Sequence, residues 1–427
     1  MTTLEIRNIG PIKHAKFTLN HVNVFIGPQS SGKSTIAKIV SFCSWLEKNY
    51  FLCLHDIKGQ YVNSSDVLLR TYHNMTKEYF SEDSYILYES DSCTLSFGYP
   101  KGSDQFTHTF TRKDIVAEQN ECTLFENRQI CYIPAERNFL AAIKTERYTD
   151  TPNSITEFIE KWYTAKEEYV DSDLDMPSVH AKYYYDVEAN QDRIKVDGVN
   201  IQLASGSSGL QSIVPLLVLV DYYSSVIYEK ERSISPQLKR SFKQGVLHRA
   251  PAEIQQELLA FIDDLNSIPT TKDSLIQAFW EKLSQVLGID VTYHFTRFII
   301  EEPEQNLFPK TQKELIVQLL KKFQNGGYPH DMIITTHSPY ILFAINNCML
   351  GGLVRDKLNE EDKALLDHQL TYIHPQRVSV YSVDNGTITS VQGCDGLIDE
   401  NFLGQAMQDI MDEFDIMLNY YEPERDA

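Results

Sequence analysis

Residues 27–34, Gly27-Pro28-Gln29-Ser30-Ser31-Gly32-Lys33-Ser34, meet the pattern G-x-x-x-x-G-K-[ST] in full. Glycines at both ends let successive backbone N–H groups turn inward around phosphate oxygens, and a following helix N-terminus adds positive potential. Lys33 is the cation that reaches the β- and γ-phosphates, and the Ser34 hydroxyl is a magnesium ligand. Thr35 belongs to the same candidate set. The run before the loop, Val22 to Ile26, is short, apolar and β-branched, as a buried strand should be. The run after it, from Thr35 to Leu46, has apolar residues at helical spacing. Strand, loop and helix are the context a phosphate-binding loop requires.

A second constellation lies far along the chain. "FIIEEPEQNLFP" (Phe298 to Pro309) is an apolar strand closing on two carboxylates. Glu301 can hold Mg2+, directly or through water, and Glu302 can polarise a water that attacks the γ-phosphate. Consecutive side chains on an ideal strand diverge, so Glu302 must sit where the chain turns at Pro303. A surface acidic turn is the plainer reading, but it fits poorly with "FII" leading straight into the charges. "DMIITTHSP" (Asp331 to Pro339) is another buried strand, ending in a lone histidine. A lone histidine is usually structural. His337, however, ends a parallel-type strand just after the acidic one, at the sheet edge where α/β folds bind ligands, and could donate a hydrogen bond to the γ-phosphate. "LASGSSGLQS" (Leu203 to Ser212) is rich in Ser and Gly and opens a helix. Its N–H groups make a second anion site or a simple cap.

The elements that must position these groups can be read from pattern. Residues 3–26 predict three strands, with turns at Gly10-Pro11 and Asn20-His21. The polar segment 55–128 holds alternating stretches, "SYILYES" and "CTLSFGY", that predict hairpins, and "QICYIPAERNFL" predicts a buried strand ending in a loop. Helices are expected over 154–170, 209–230 and about 309–324, with a hairpin in 180–204 and another in "RVSVYSVDNGTITSVQ". Residues 231–290 are amphipathic and polar and predict a helical insert. The fold class expected is therefore α/β, a mixed sheet with an antiparallel β part and a helical insert. The organisation expected is an N-terminal lobe over 1–230, the insert over 231–290 and a C-terminal lobe over 291–427.

Composition narrows the class. The 427 residues carry a net charge of −20. That argues against a large non-specific nucleic-acid surface, though it leaves room for a local one. The best stretch for such contact is Lys239 to Gln244 with His248 and Arg249; a solvated helix face is the plainer reading. The apolar run Ile213–Val220 is too short to span a bilayer, no N-terminal leader is apparent, and no membrane partner is expected. Seven scattered cysteines with no C-x-x-C pair fit a reduced, cytoplasmic protein.

Taken in order, the four constellations resemble those of ABC-type ATPases: Walker A, signature loop, Walker B with a catalytic glutamate, and switch histidine. The resemblance implies ATP and Mg2+ as cofactors. It maps the signature core onto Ser208-Gly209-Leu210-Gln211, with Ser208, Gly209 and Gln211 as nucleotide contacts, and makes Glu302, His337 and Lys33 the catalytic set. In that class the signature loop of one subunit meets the γ-phosphate held by the other, which implies a head-to-head homodimer or higher oligomer. Gln211 and Glu301 are 90 positions apart, unlike in transporter ATPases. The chain is most similar to the AAA15/AAA21, or OLD-like, group related to RecF and the SMC proteins. That similarity rests on "LEIRNIGPI", "YIPAERN", "SSGLQS", "IIEEPEQNLFP" and "TTHSPYIL", and covers most of 1–345. Two departures stand out. Glu301 replaces the usual Walker B aspartate, and no clear Q-loop glutamine is present. Gln129 lies just before its strand, and the Pro134–Arg137 turn takes that place, with Arg137 expected near the nucleotide or the dimer interface. From Tyr340 onward there is no D-x-D pair of the Toprim kind, and Asp171-Ser172-Asp173-Leu174-Asp175 reads as a solvated loop. The resemblance implies an ATPase beside a separate effector, a nuclease or toxin, in bacterial antiphage defence. The rival expectation is a RecF-like DNA-binding ATPase of repair.

Overall fold

The computed structural model describes residues 2–52, 72–102, 106–142, 153–229 and 293–418, apart from short interruptions, and scattered single positions elsewhere. The expected insert, 231–290, with its basic stretch, lies almost wholly outside the described residues. Strands β1 (Thr2–Ile9), β2 (Ile12–Leu19) and β3 (Val22–Ile26) lead into helix α1 (Lys33–Leu52). Then come β4 (Phe80–Glu89), β5 (Cys93–Gly98), β6 (Thr107–Arg112), the small hairpin β7 (Asp114–Ala117) and β8 (Asn120–Thr123), and β9 (Arg128–Ile133). Helix α2 (Ser154–Lys166) precedes β10 (Leu174–Met176), β11 (Ala181–Asp186), β12 (Gln191–Val196) and β13 (Val199–Gln202), and α3 (Ser208–Asp221) follows. The chain continues through β14 (Phe295–Glu301), α4 (Pro309–Asn325), β15 (Asp331–Thr336), α5 (Pro339–Val354) and α6 (Glu360–Asp367). It closes with the hairpin β16 (Val378–Asp384) and β17 (Thr387–Ser390), then α7 (Phe402–Leu418).

One eleven-stranded mixed sheet runs β6-β5-β4-β1-β2-β17-β16-β3-β15-β14-β9. Its β6-to-β2 half is antiparallel, and the block β16-β3-β15-β14-β9 is parallel. The residue patterns explain the division. Every residue of β3, β9 and β14 is buried, as strands covered on both faces require, whereas β5 alternates buried with half-buried positions. A separate four-stranded antiparallel sheet is formed by β10–β13. There Asp173 pairs with Lys195 and Asp175 with Lys182, so the acidic cluster belongs to an exposed ion-paired hairpin.

Strand periodicity divides the core in two. Phe25, Ile299 and Ile333 face α1, packing with Ile36, Val40 and Phe42. Val24, Ile26, Ile300 and Ile334 face α3, α4 and α5, packing with Leu217, Leu315, Leu319 and Ile345. The parity matters for the site: Glu301, two residues past Ile299, falls on the α1 face. The helical stretch Ser208–Val226 is apolar and long enough to cross a membrane by length and composition. Its residues 212–220 are nevertheless buried within the core. Cys43, Cys93, Cys131 and Cys348 are buried free thiols, as small hydrophobes are.

Candidate functional site

The three strands that carry the chemistry end at one level. Ile26 of β3 pairs in register with Thr336 of β15, and Thr335 with Glu301 of β14. The next residues, Gly27, His337 and Glu302, therefore leave the sheet side by side. β15 lies between the loop strand and the acidic strand, so His337 emerges between them.

Backbone demands shape the loop. A Cβ on Gly27 would lie 2.3 Å from the carbonyl oxygen of Val383 in β16, so only glycine permits that approach. Gly32 has φ +108° and Ser30 φ 60°, conformations in the left-handed region. Ile36 N–H closes the first helical turn on Gly32 O at 3.0 Å. The N–H groups of Lys33, Ser34 and Thr35 thus belong to the open end of α1, whose first turn holds no acidic residue to compete for them. Pro28, Gln29 and Ser30 are exposed, and Ser31 Oγ is buried without a protein partner. Lys33 folds back beneath the loop, donating to Gly27 O at 2.8 Å and Pro28 O at 2.7 Å. Burial lowers its pKa, opposed by Glu302, Glu304 and Glu301. An anion in the loop offers that ammonium stronger acceptors than two neutral carbonyls.

Glu301 is buried at the end of β14. The phenol of Tyr132, on neighbouring β9, donates to its Oε1 at 2.7 Å, and the Ser34 hydroxyl is near enough to draw the carboxyl's pKa down. Burial pushes the Glu301 pKa up to about 7, against the pull of Tyr132, Lys38 and Ser34. An expensive buried carboxylate beside a serine hydroxyl at the mouth of an anion loop is what a bound cation would stabilise. Among the described residues no group of three His, Cys, Asp or Glu forms a cage of its own. The set fits Mg2+, which takes one or two protein oxygens and completes its shell with phosphates and water.

Glu302 takes φ 44° while its N–H still bonds Thr335 O at 2.9 Å. This left-handed kink separates the two adjacent carboxylates as the alternation rule demands. Glu301 stays inside, and the Glu302 side chain is 28% exposed. Gln305 Nε2 donates to Glu302 Oε2 at 3.2 Å. His337 Nδ1 lies 3.8 Å from Glu302 Oε1 and 3.4 Å from Glu304 Oε1. Glu304 was not singled out in the sequence, yet it is buried and organises the histidine. Its Oε1 accepts from His337 N–H at 2.9 Å and from Thr336 Oγ1 at 2.7 Å, while its Oε2 has no protein partner. The signal was there in "EEPEQ": a third acidic residue two positions past Glu302.

The 203–212 segment forms a different surface. Ser207 caps α3, accepting from Leu210 N–H at 3.3 Å. Gln211 Nε2 donates to Ala204 O at 3.0 Å and Gly206 O at 3.1 Å, tightening the turn. Ser208 is exposed, and a Cβ on Gly209 would lie 2.8 Å from Asn306 O. Among the described residues no hydrogen bond or ion pair joins 203–212 to 27–35. The 203–212 turn abuts the 302–306 turn rather than the loop at 27–35.

The structure places both residues considered for the Q-loop position; Gln129 lies inside β9 rather than before it. Gln129 sits at the start of β9, paired with Thr296, at the opposite strand end from the site, and its Oε1 accepts from Lys48. Arg137 is not on a surface: it is fully buried, directly behind the 301–303 turn. Its guanidinium is spent on the backbone carbonyls of Pro134, Ser212, Glu301, Glu302 and Pro303. The "AER" turn reads as surface in sequence because Glu136 is exposed and only Arg137 turns inward.

No family profile and no curated protein matches the chain. Among solved structures it is similar to the SMC head domain from Thermotoga maritima, at 10% identity over 91% of this chain and 97% of that one, with a TM-score of 0.37. It is also similar to a nucleotide-free ATP-binding cassette from an ABC transporter, at 9% identity over 99% and 100% of the two chains, with a TM-score of 0.31. A third likeness is to the recombination mediator protein RecF, at 11% identity over 91% and 97%, with a TM-score of 0.29.

Proposed function

We propose that the chain is a magnesium-dependent ATPase of the ABC type, which closes as a head-to-head dimer around two ATP molecules. The observation that carries this reading is the common level of three strand ends, which sets Gly27, His337 and Glu302 side by side with Glu301 against Ser34. Lys33 and the open N–H groups of α1 hold the β- and γ-phosphates. Ser34 and Glu301 hold Mg2+, which neutralises charge building on the phosphates. Glu302, partly exposed at the mouth, orients the attacking water and takes its proton. His337 donates to the γ-phosphate from beside it. Ser208, Gly209 and Gln211 of the second copy cover the open side of the loop, since the same chain's turn makes no contact there.

The finer reading is that this ATPase is the sensor subunit for a separate effector, a nuclease or toxin, in bacterial antiphage defence. Its support is the motif order and the OLD-like resemblance of the sequence. A RecF-like DNA-binding role is the second reading; the net charge of −20 weighs against it.

The test is light scattering with ATP and Mg2+ for the native chain and Glu302→Gln, each expressed with its genomic neighbours. Glu302→Gln is expected to lose about 100-fold or more in turnover, keep ATP binding, and accumulate as an ATP-bound dimer with a neighbour's product attached. A size indifferent to ATP would remove the sandwich mechanism. ATP-dependent, salt-sensitive duplex binding without a protein partner would favour the RecF-like reading.

A further inference from the structure

Arg137 has no assigned role, and its placement is unusual. It is 0% exposed, and among the described residues no carboxylate forms an ion pair with it; five backbone carbonyl oxygens share its donors instead. Burial draws its pKa down to about 10, which leaves it charged at neutral pH. Nη1 donates to Glu301 O at 2.8 Å and Pro134 O at 3.3 Å. Nη2 donates to Glu302 O at 2.9 Å and Pro303 O at 3.2 Å. Nε donates to Ser212 O at 2.9 Å. Three of these oxygens, those of Glu301, Glu302 and Pro303, flank the kink that aims Glu302, and a fourth, Pro134 O, belongs to the arginine's own turn. The fifth lies one residue past Gln211, in the signature helix α3.

Two further features sharpen the connection. Pro215 stands inside α3 and cannot donate to Gln211 O, so the signature turn is tied less firmly to the rest of its own helix. The same turn packs on the other side against Asn306, where Gly209 leaves no room for a side chain. The signature turn is thus fastened to the 301–306 turn at two points and to its own helix loosely. Glu302, with its left-handed φ of 44°, is a residue whose conformation its surroundings must impose.

We propose that Arg137 is a positioning residue that couples each chain's signature helix to its own Glu302. In the sandwich dimer proposed above, on which this inference rests, the signature turn meets the partner's nucleotide. Occupation of the partner's site then draws α3, and the guanidinium carries the displacement to the carbonyls on either side of Glu302. Each site is completed only when the other is filled, so hydrolysis is cooperative between the two. Lysine in place of Arg137 retains a positive charge but not the planar fork that serves the helix and the kink together.

The experiment compares wild type, Arg137→Lys, Arg137→Met and Gly209→Ala as full-length protein. It reads turnover against ATP concentration, equilibrium binding of a fluorescent ATP analogue, and ATP-dependent dimer formation. Wild type is expected to turn over with a Hill coefficient above one. Arg137→Lys should bind the analogue within about threefold of wild type, lose about 5- to 150-fold in kcat, and show a Hill coefficient of one. Gly209→Ala keeps Arg137 itself but forces the turn at 207–211 away from Asn306, so it serves if the Arg137 variants do not fold; it should flatten the cooperativity in the same way. A folded Arg137→Lys or Gly209→Ala as cooperative as wild type overturns the proposal. So does a parallel loss of binding, turnover and melting temperature with the Hill coefficient unchanged, which is what a purely structural arginine would give. A wild type that binds ATP without dimerising sinks the sandwich reading itself, a result recognisable before any variant is made.

Discussion

Tyr132 and Glu301 lie on adjacent parallel strands, and the phenol donates to the carboxyl at 2.7 Å from inside the core. Burial raises the tyrosine pKa well above its usual value, so the phenol remains a donor at every working pH. A donor of that kind favours the ionised carboxylate, the form that binds a cation. Tyr132→Phe removes the bond at almost constant volume. Hydrogen bonds to charged groups contribute about 1.5–3 kcal/mol, so the Glu301 pKa should climb above its present value of about 7. The Mg2+ concentration for half-maximal turnover is expected to rise about tenfold at pH 7 and to approach wild type at higher pH, where the carboxyl ionises unaided. A defect of equal size at both pH values would mean that the phenol acts by shape alone.

The same carboxyl sets a pH signature for the protein without nucleotide or metal. Its pKa is about 7 when folded against an ordinary 4.5. The folded state therefore holds the proton more tightly than the unfolded state. This contribution to stability is fully present below about pH 4.5 and is lost as pH rises toward 7. Its size is at most about 3 kcal/mol. Glu301→Gln stays neutral throughout and loses nothing over that range. Urea unfolding of the two proteins at pH 5 and pH 7.5 should show the wild type falling relative to the variant as pH rises. A constant difference would place the Glu301 pKa near its ordinary value.

Much of this site was legible from local pattern. The spacing from Gly27 to Ser34, flanked by "VNVFI" and a helical run, is a contiguous signal. So is "FII" running into Glu301 and Glu302, and the need for a break in the strand between them is met by the kink at φ 44°. What pattern could not supply is what depends on the sheet order. Tyr132 meets Glu301 across 169 positions, because β9 lies beside β14. Arg137 reaches Ser212 and Glu302 across 75 and 165 positions, and a sequence window cannot distinguish a buried arginine from the exposed Glu136 next to it. The fold divided along similar lines. Apolar runs marked β3, β14 and β15 of the parallel block and alternating ones the antiparallel half, whereas β16 alternates and yet lies in the parallel block. The joining of the two halves into one sheet rests on β17 pairing with β2, a contact between distant segments.

Glu304 gives the last prediction, because one side chain holds His337 in two separable ways. Its Oε1 accepts from the His337 N–H and from the Thr336 hydroxyl, which fixes where the backbone leaves β15. Its carboxylate also lies 3.4 Å from His337 Nδ1, a second hold on the histidine. Glu304→Gln retains an oxygen for the two donors and removes the charge. It should fold within about 1 kcal/mol of wild type and lose about tenfold in turnover with ATP binding intact. Glu304→Ala leaves the backbone N–H and the Thr336 hydroxyl unpaired, and should cost about 2–4 kcal/mol of stability besides. Urea unfolding and steady-state turnover on the three proteins separate the terms. Wild-type turnover in Glu304→Gln would show that the carboxylate only anchors the strand end. The acid left beside His337 in that variant is Glu302, 3.8 Å from the same ring nitrogen.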